Sequence, residues 1–344
     1  MCAMPRTAML FAMLLAACFT AHSSAFCVPQ VRPRQPAAAA SAGVGGTRQH
    51  ASRWSPATER GDSRLSARVA ATSMSADVAE GDVVVVVGAS GGIGRLVTQS
   101  LASTGKYRVR GLVRNLEKAK EALSSAGGGA GGDLEIELEQ GDILDETSLG
   151  AAMKGATCVV ACTGTTAFPS KRWNGGNTPD RVDNVAVGNM LRAAVAGGSL
   201  KRFVLLSSVG VTRADKFPFV ILNAFGVLDA KVKGEAAVRR AAEDGGFSYS
   251  IVRPGQIKGE PFLAYSKAGG VTLAGDAPEK GSAKRMVSLQ QGDTEAGDVN
   301  PSSVAEVFTQ AVGQAAAAGK SYTVINSLGD APSQDSWDAL FAKL

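Results

Sequence analysis

The chain has 344 residues, with 36 Lys+Arg against 31 Asp+Glu and two histidines. Its pI near 9.0 raises nucleic acid or an anionic membrane as a partner, but residues 1–75 hold eight arginines, no lysine, two acids, both histidines and three of the five cysteines, which leaves 28 basic and 29 acidic residues in 76–344. A near-neutral domain without histidine excludes a Ser-His-Asp or Cys-His nucleophilic system, a His-containing zinc site and an imidazole base; two cysteines make no disulfide scaffold, and no aromatic-basic interleaving awaits nucleic acid.

In chain order, residues 1–25 read as a secretory signal: Arg6, the apolar run Ala8–Phe19, then small residues Ser23-Ser-Ala25. The run is short for a membrane span. Residues 26–78 are rich in Ala, Ser and Arg, the composition of a plastid or mitochondrial transit peptide, so the two segments together form a bipartite address; an N-terminal anchor with a disordered linker is the alternative. From residue 79 to 344, short β-branched runs alternate with helical stretches, which predicts an α/β fold, a doubly wound and mostly parallel sheet. Expected strands are Val83–Val87, Arg108–Val113, Leu134–Leu138, Cys158–Cys162, Phe203–Leu206, Ser248–Val252 and Tyr322–Ile325. Expected helices lie near 92–104, 115–125, 146–153, 182–196, 228–243 and 302–316, and the glycine-rich Ala126–Gly132 reads as an exposed loop.

Five valines run directly into Gly88-Ala89-Ser90-Gly91-Gly92-Ile93-Gly94 and then a helix. Glycines at this spacing, between a buried strand and a helix N-terminus, allow a tight turn, backbone approach to a pyrophosphate and close helix packing, which points to dinucleotide binding. The second strand ends Leu112-Val113-Arg114-Asn115, with a guanidinium where NAD-specific sites carry an acid, so NADP(H) is expected over NAD(H). A solvated helix-start arginine is the alternative. Cys158 and Cys162, four residues apart on one strand, stand ~13 Å apart at the usual rise, beyond disulfide reach, and read as core residues.

The glycine loop, the Val113-Arg114 strand end, Gly141-Asp142, the helix Val182–Leu191, Lys201–Ser208 and Tyr249–Gly255 resemble an atypical short-chain dehydrogenase/reductase of the NAD(P)H-binding, NmrA-like kind, similar to its plastid members in plants and algae. The resemblance implies a Rossmann domain with a small C-terminal substrate-side extension over 254–300. It places Asp142 by the adenine, Thr163-Gly164 along the cofactor and Lys231 at the nicotinamide ribose, with Pro254 a further cofactor contact on the side where the acceptor lies. Active members of the superfamily use Ser, Tyr and Lys, the last two four apart on a helix. Ser208 and Lys231 match; Val227 stands in place of the tyrosine, and a register slipped to Lys233 finds Asp229 there instead. Tyr249 lacks the spacing, and Tyr265 could reach the pocket only from the extension.

The expected function is a plastid stromal reductase of a small carbonyl, enone or quinone-like acceptor, its proton drawn from water, Ser208 or substrate. Peripheral thylakoid contact is compatible with this, and no metal is called for. The alternative is a non-catalytic NADP(H)-sensing or assembly module engaging a plastid protein partner through 209–226 and 256–300.

Overall fold

The five valines of β1 (Val83–Val87) are all buried, and they alternate between two separate cores. Val84 and Val86 point into one, Val83, Val85 and Val87 into the other. A strand buried on both faces belongs at the centre of a parallel sheet covered by helices on each side. The computed structural model describes residues 77–124, 134–259 and 285–344 of the chain. The expected signal, the transit segment up to residue 76, the Ala126–Gly132 loop, Tyr265 and much of the extension lie outside the described residues.

The further strands are β2 (Arg108–Val113), β3 (Ile136–Gln140), β4 (Cys158–Ala161), β5 (Arg202–Leu206), β6 (Ser248–Pro254), β7 (Gln256–Ile257), β8 (Met286–Gln291), β9 (Asp298–Val299) and β10 (Lys320–Ser327). The main sheet has eight strands in the order β3-β2-β1-β4-β5-β6-β10-β8, parallel except for the edge strand β8. Its first six strands carry the doubly wound order, with the direction of winding reversing between β1 and β4. Strands β7 and β9 form a separate parallel pair at the start and end of the 254–300 extension.

One face is covered by α1 (Gly92–Ser103), α2 (Leu116–Ser124), α5 (Pro301–Gly313) and α6 (Gln334–Phe341), whose Val97, Leu101, Ala119, Val304, Phe308 and Phe341 fill the first core. The other is covered by α3 (Ala186–Ala196) and α4 (Val227–Gly245), through Val187, Met190, Leu191, Val238 and Ala242. Each such side chain stabilises the fold by roughly 1.5–3 kcal/mol on burial.

Several boundaries differ from expectation for physical reasons. The third strand starts two residues late because its partner β2 pairs Val109 with Ile136, leaving Leu134 exposed. The stretch 146–153 splits into a 3₁₀ turn and a single helical turn. The start of the 182–196 helix is a π turn, Arg181–Val185. Asp77 and Val78, assigned by sequence to the leader, belong to the domain: Val78 is buried, and Asp77 accepts from Arg202 at 3.5 Å. Arg202, buried in β5, also donates to the carbonyls of Ala311, Val312 and Gln314, satisfying the C-terminal end of α5.

Candidate functional site

The carboxyl ends of β1, β2, β4, β5 and β6 open onto one cavity of about 790 Å³. It lies at the β1/β4 reversal, where doubly wound sheets bind ligands. Of the residues singled out from sequence, Gly88, Ser90, Gly91, Gly92, Ile93, Arg114, Asp142, Thr163, Gly164, Ser208, Lys231 and Pro254 line it together. Ala89 and Gly94 do not line it: Ala89 is buried in the first core and Gly94 packs against the backbone of Gly88.

The loop turns because Gly88 adopts a left-handed φ of 81° and its carbonyl accepts from Gly91 N at 2.9 Å. Gly94 is where α1 passes over that carbonyl: a Cβ there would stand 2.1 Å from Gly88 O. No side chain caps α1, whose N-cap is Gly91, so the first-turn N–H groups face the cavity with the positive end of the helix dipole. Free donors, a glycine cradle and a helix N-terminus suit a pyrophosphate, and these residues fit a dinucleotide.

At one end of the cavity stand Arg114, Asn115 and Lys118 at the close of β2, Asn115 capping α2 by accepting from Lys118 N at 2.9 Å. Asp142 follows β3, one oxygen accepting from Leu144 N at 2.9 Å. At the other end, Lys231 projects from α4, and its Nζ donates to Asp183 Oδ1 at 2.8 Å. Val227 does not face the cavity. It is buried with Val209, Val211, Phe219 and Leu228 in a small apolar cluster, so the tyrosine position is a packing position. Tyr249 packs against the second core, away from the site.

Ser208 Oγ donates to Val209 O at 3.0 Å, and its neighbour Ser207, also on the cavity wall, donates from Oγ to Glu235 Oε1 at 2.7 Å. Both acceptors lack a hydrogen, so each serine proton is committed and the hydroxyls offer the cavity lone pairs. Glu235 is buried and also accepts from Arg253 Nε at 2.9 Å, from Arg253 Nη2 at 2.6 Å and from Arg239 Nη2 at 2.9 Å. Burial pushes its carboxyl up, but the bonds and charge of Arg253, with Ser207 and Arg239, outweigh this and hold it below the usual carboxylate range. Asp293, after β8, accepts from Gly210 N, Thr212 N and Arg213, tying the loop after β5 to the extension. Cys162 lines the cavity and Cys158 lies beneath; burial pushes the Cys158 thiol up to about 12 and raises that of Cys162, so neither is an activated nucleophile.

Ser207, Asp183, Glu235 and Asp293 were not singled out from sequence. Arg253, one residue past the expected strand Ser248–Val252, carried a usable signal: a charge that continues a buried strand requires a buried partner. Asp183 and Glu235, on helices, carried none.

The sequence model of a family described as NAD(P)H-binding matches residues 88–315. The chain is 29% identical over 217 residues, 60% of its length and 41% of the relative's, to Protein TIC 62, chloroplastic, of Oryza sativa subsp. japonica. It is 30% identical over 187 residues, 52% of its length and 60% of the relative's, to the chloroplastic protein At2g34460 of Arabidopsis thaliana. The chain thus spans less than two thirds of the length of either relative. Further matches include proteins named as reductases. Among solved structures, a putative NAD-dependent epimerase/dehydratase from Bacillus halodurans superposes with TM-score 0.55 at 23% identity, covering 77% of this chain and all of that one, and so shares the fold. The chain belongs to the NAD(P)H-binding family, as an atypical short-chain dehydrogenase/reductase of the plastid type.

Proposed function

We propose that the chain is a plastid stromal, NADP(H)-dependent reductase of a small apolar carbonyl, enone or quinone-like acceptor, delivered by an address within residues 1–76. The observation that carries this is one cavity lined by the glycine loop, by Lys231 and by Leu206, Pro254 and Ile257 together. A space lined in this way would take a dinucleotide with a second molecule beside its nicotinamide. The bound dinucleotide would supply the hydride. Backbone N–H groups of Gly92 and Ile93 would hold its pyrophosphate, Asp142 the adenine side, Thr163-Gly164 its length and Lys231 the nicotinamide ribose. The chloroplastic relatives support the plastid location.

The NADP(H) preference rests on Arg114 and Lys118 on the cavity wall and on the lack of an acid in β2 itself. Arg114→Ala is expected to weaken NADPH binding at least tenfold and NADH binding less than twofold, read by titrating nicotinamide fluorescence; equal losses would remove the preference.

The test of the function itself is loss of reduced-nicotinamide absorbance when the full-length chain meets a panel of quinones, enones and aldehydes. Turnover with at least one apolar acceptor is expected. The buried valine at position 227 and the committed serine protons favour a second reading, an NADP(H)-sensing module for a protein partner. Tight NADPH binding with no turnover across the panel would select it.

A further inference from the structure

The loop after β5 turns an apolar face to solvent. Hydrogen bonds from Val220 N to Lys216 O, Asn223 N to Phe219 O and Gly226 N to Asn223 O wind residues 216–226 around the single helical turn Phe219–Leu222. At that spacing Phe219 and Leu222 pack inward with the small apolar cluster around Val227, and Phe217, Val220 and Ala224 stand outward. Phe217 is 62% exposed, Val220 47% and Phe225 50%, and no other phenylalanine among the described residues is exposed to this degree. Phe225 is held by two edge contacts, its ring centroid 5.8 Å from that of Phe168 and 6.1 Å from that of Trp173, both from the loop after β4. Two loops thus build one face, and it borders the cavity, which Arg172, next to Trp173, helps to line.

A contiguous apolar face of this kind marks an interaction site, and its rim indicates with what. Across 166–176 and 211–226 the exposed charges are Lys171, Arg172 and Lys216 against the single acid Asp215, while Arg213 is taken up by Asp293. We infer that this face docks an amphipathic helix of a protein partner, with acidic residues flanking the apolar side of that helix. Such a helix would seat residues at i, i+3, i+4 and i+7 against Phe217, Val220 and Phe225 and set its acids against the lysines. Phe225, fixed between two rings before any partner arrives, is a rigid aromatic anchor that loses little side-chain entropy on docking.

The same rim disfavours the other occupants. A two-fold contact between copies sets the patch against itself, bringing the basic rim of one copy onto that of the other. An anionic membrane is met by clusters of about 4–8 basic residues, more than this rim holds. Aromatic side chains at a membrane surface also keep their polar ends among the headgroups, whereas the Trp173 indole donates inward, to Thr166 O at 3.1 Å.

The test pans a phage-displayed library of amphipathic helical peptides against the full-length chain, removes by counter-selection those that also bind the double variant Phe217→Asp with Val220→Asp, and measures the survivors by fluorescence anisotropy. Survivors are expected to carry acids beside their apolar positions, to bind that variant at least tenfold more weakly than wild type, and to bind Lys171→Glu with Lys216→Glu at least threefold more weakly. Thermal melts check that both variants keep the fold. Should the first fail to fold, the second, which alters only exposed lysines, decides alone. No survivors, survivors without an acidic bias, or survivors indifferent to the lysine reversal overturn the inference. So does co-sedimentation with phosphatidylglycerol vesicles that Phe217→Asp with Val220→Asp abolishes, which makes lipid the occupant, or a dimer in sedimentation velocity that the same substitutions dissolve, which makes it a second copy. These measurements read neither turnover nor cofactor, so their outcome is separate from that of the reductase and sensing readings of the cavity.

Discussion

Replacing Gly94 with alanine should cost the domain about 2 kcal/mol and lower dinucleotide affinity at least 30-fold, although alanine is the better helix former. Two effects oppose each other. Alanine in a helix interior is favoured over glycine by about 1 kcal/mol. Against this, the new Cβ would lie 2.1 Å from Gly88 O and 2.8 Å from Gly88 C, and these are backbone atoms of the turn, unable to rotate away as a flexible side chain could. Overpacking of this kind costs about 1–3 kcal/mol and sometimes more, and here it must displace either α1 or the turn. Either movement takes the first-turn N–H groups away from where a pyrophosphate would meet them, which is why affinity falls by more than stability alone explains. Gly150 is the control, since it is helical and nothing lies within 4 Å of a Cβ added there; Gly150→Ala should leave affinity unchanged and raise stability by up to about 1 kcal/mol. Thermal melts and NADPH fluorescence titrations check the pair. A Gly94→Ala chain that melts and binds like wild type would mean that close packing of α1 on the turn plays no part in cofactor binding.

That turn was legible from sequence because the demands on it are local. A five-valine run can be buried on both faces only in a covered sheet, and the glycine spacing acts on the next seven residues. Arg114 was legible for the same reason, standing at the end of the second strand, whereas Asp142 came only from the family resemblance. The acceptor end was less so, because its groups meet only after the chain has closed. Lys231 and Asp183 are 48 positions apart, and Glu235 reaches Arg253 across from α4 to β6. A charged residue on a helix defaults to solvent until a partner is known, and nothing within one turn of Asp183 shows that it faces inward. The π turn that carries it is equally silent, since one extra residue per turn leaves the apolar periodicity of Val182–Leu191 almost unaltered. The edge strand β8 escaped because an antiparallel addition at a sheet edge requires none of the continuous apolar pattern that marks the inner strands.

Arg253→Met is expected to destabilise the domain by about 3–5 kcal/mol, the range for removing one partner of a buried ion pair. Arg253 supplies two of the bonds to Glu235, at 2.9 and 2.6 Å, and both side chains are within a few per cent of complete burial. Without it the carboxylate keeps Ser207 and Arg239, the latter 35% exposed and a weaker partner. The double variant Glu235→Met with Arg253→Met should recover much of the loss, because it removes the buried charge along with its partner. The pH dependence separates this account from simple loss of packing. In wild type the folded pKa of Glu235 lies below its ordinary value of 4.5, and that of Asp293 below 3.8. Groups depressed in this way contribute stability that is fully present above the unfolded values and is lost as pH falls through the folded ones. Wild-type stability should therefore hold down to about pH 4.5 and decline below it. In Arg253→Met, burial is left as the larger influence on Glu235 and raises its folded pKa, so acid begins to relieve an unpaired carboxylate. The deficit of the variant relative to wild type should then shrink between pH 6 and pH 4, as chemical denaturation across that range would show. A deficit constant with pH, or one below 1 kcal/mol, would mean that Arg253 acts by filling space and that Ser207 is oriented by something other than a charged Glu235.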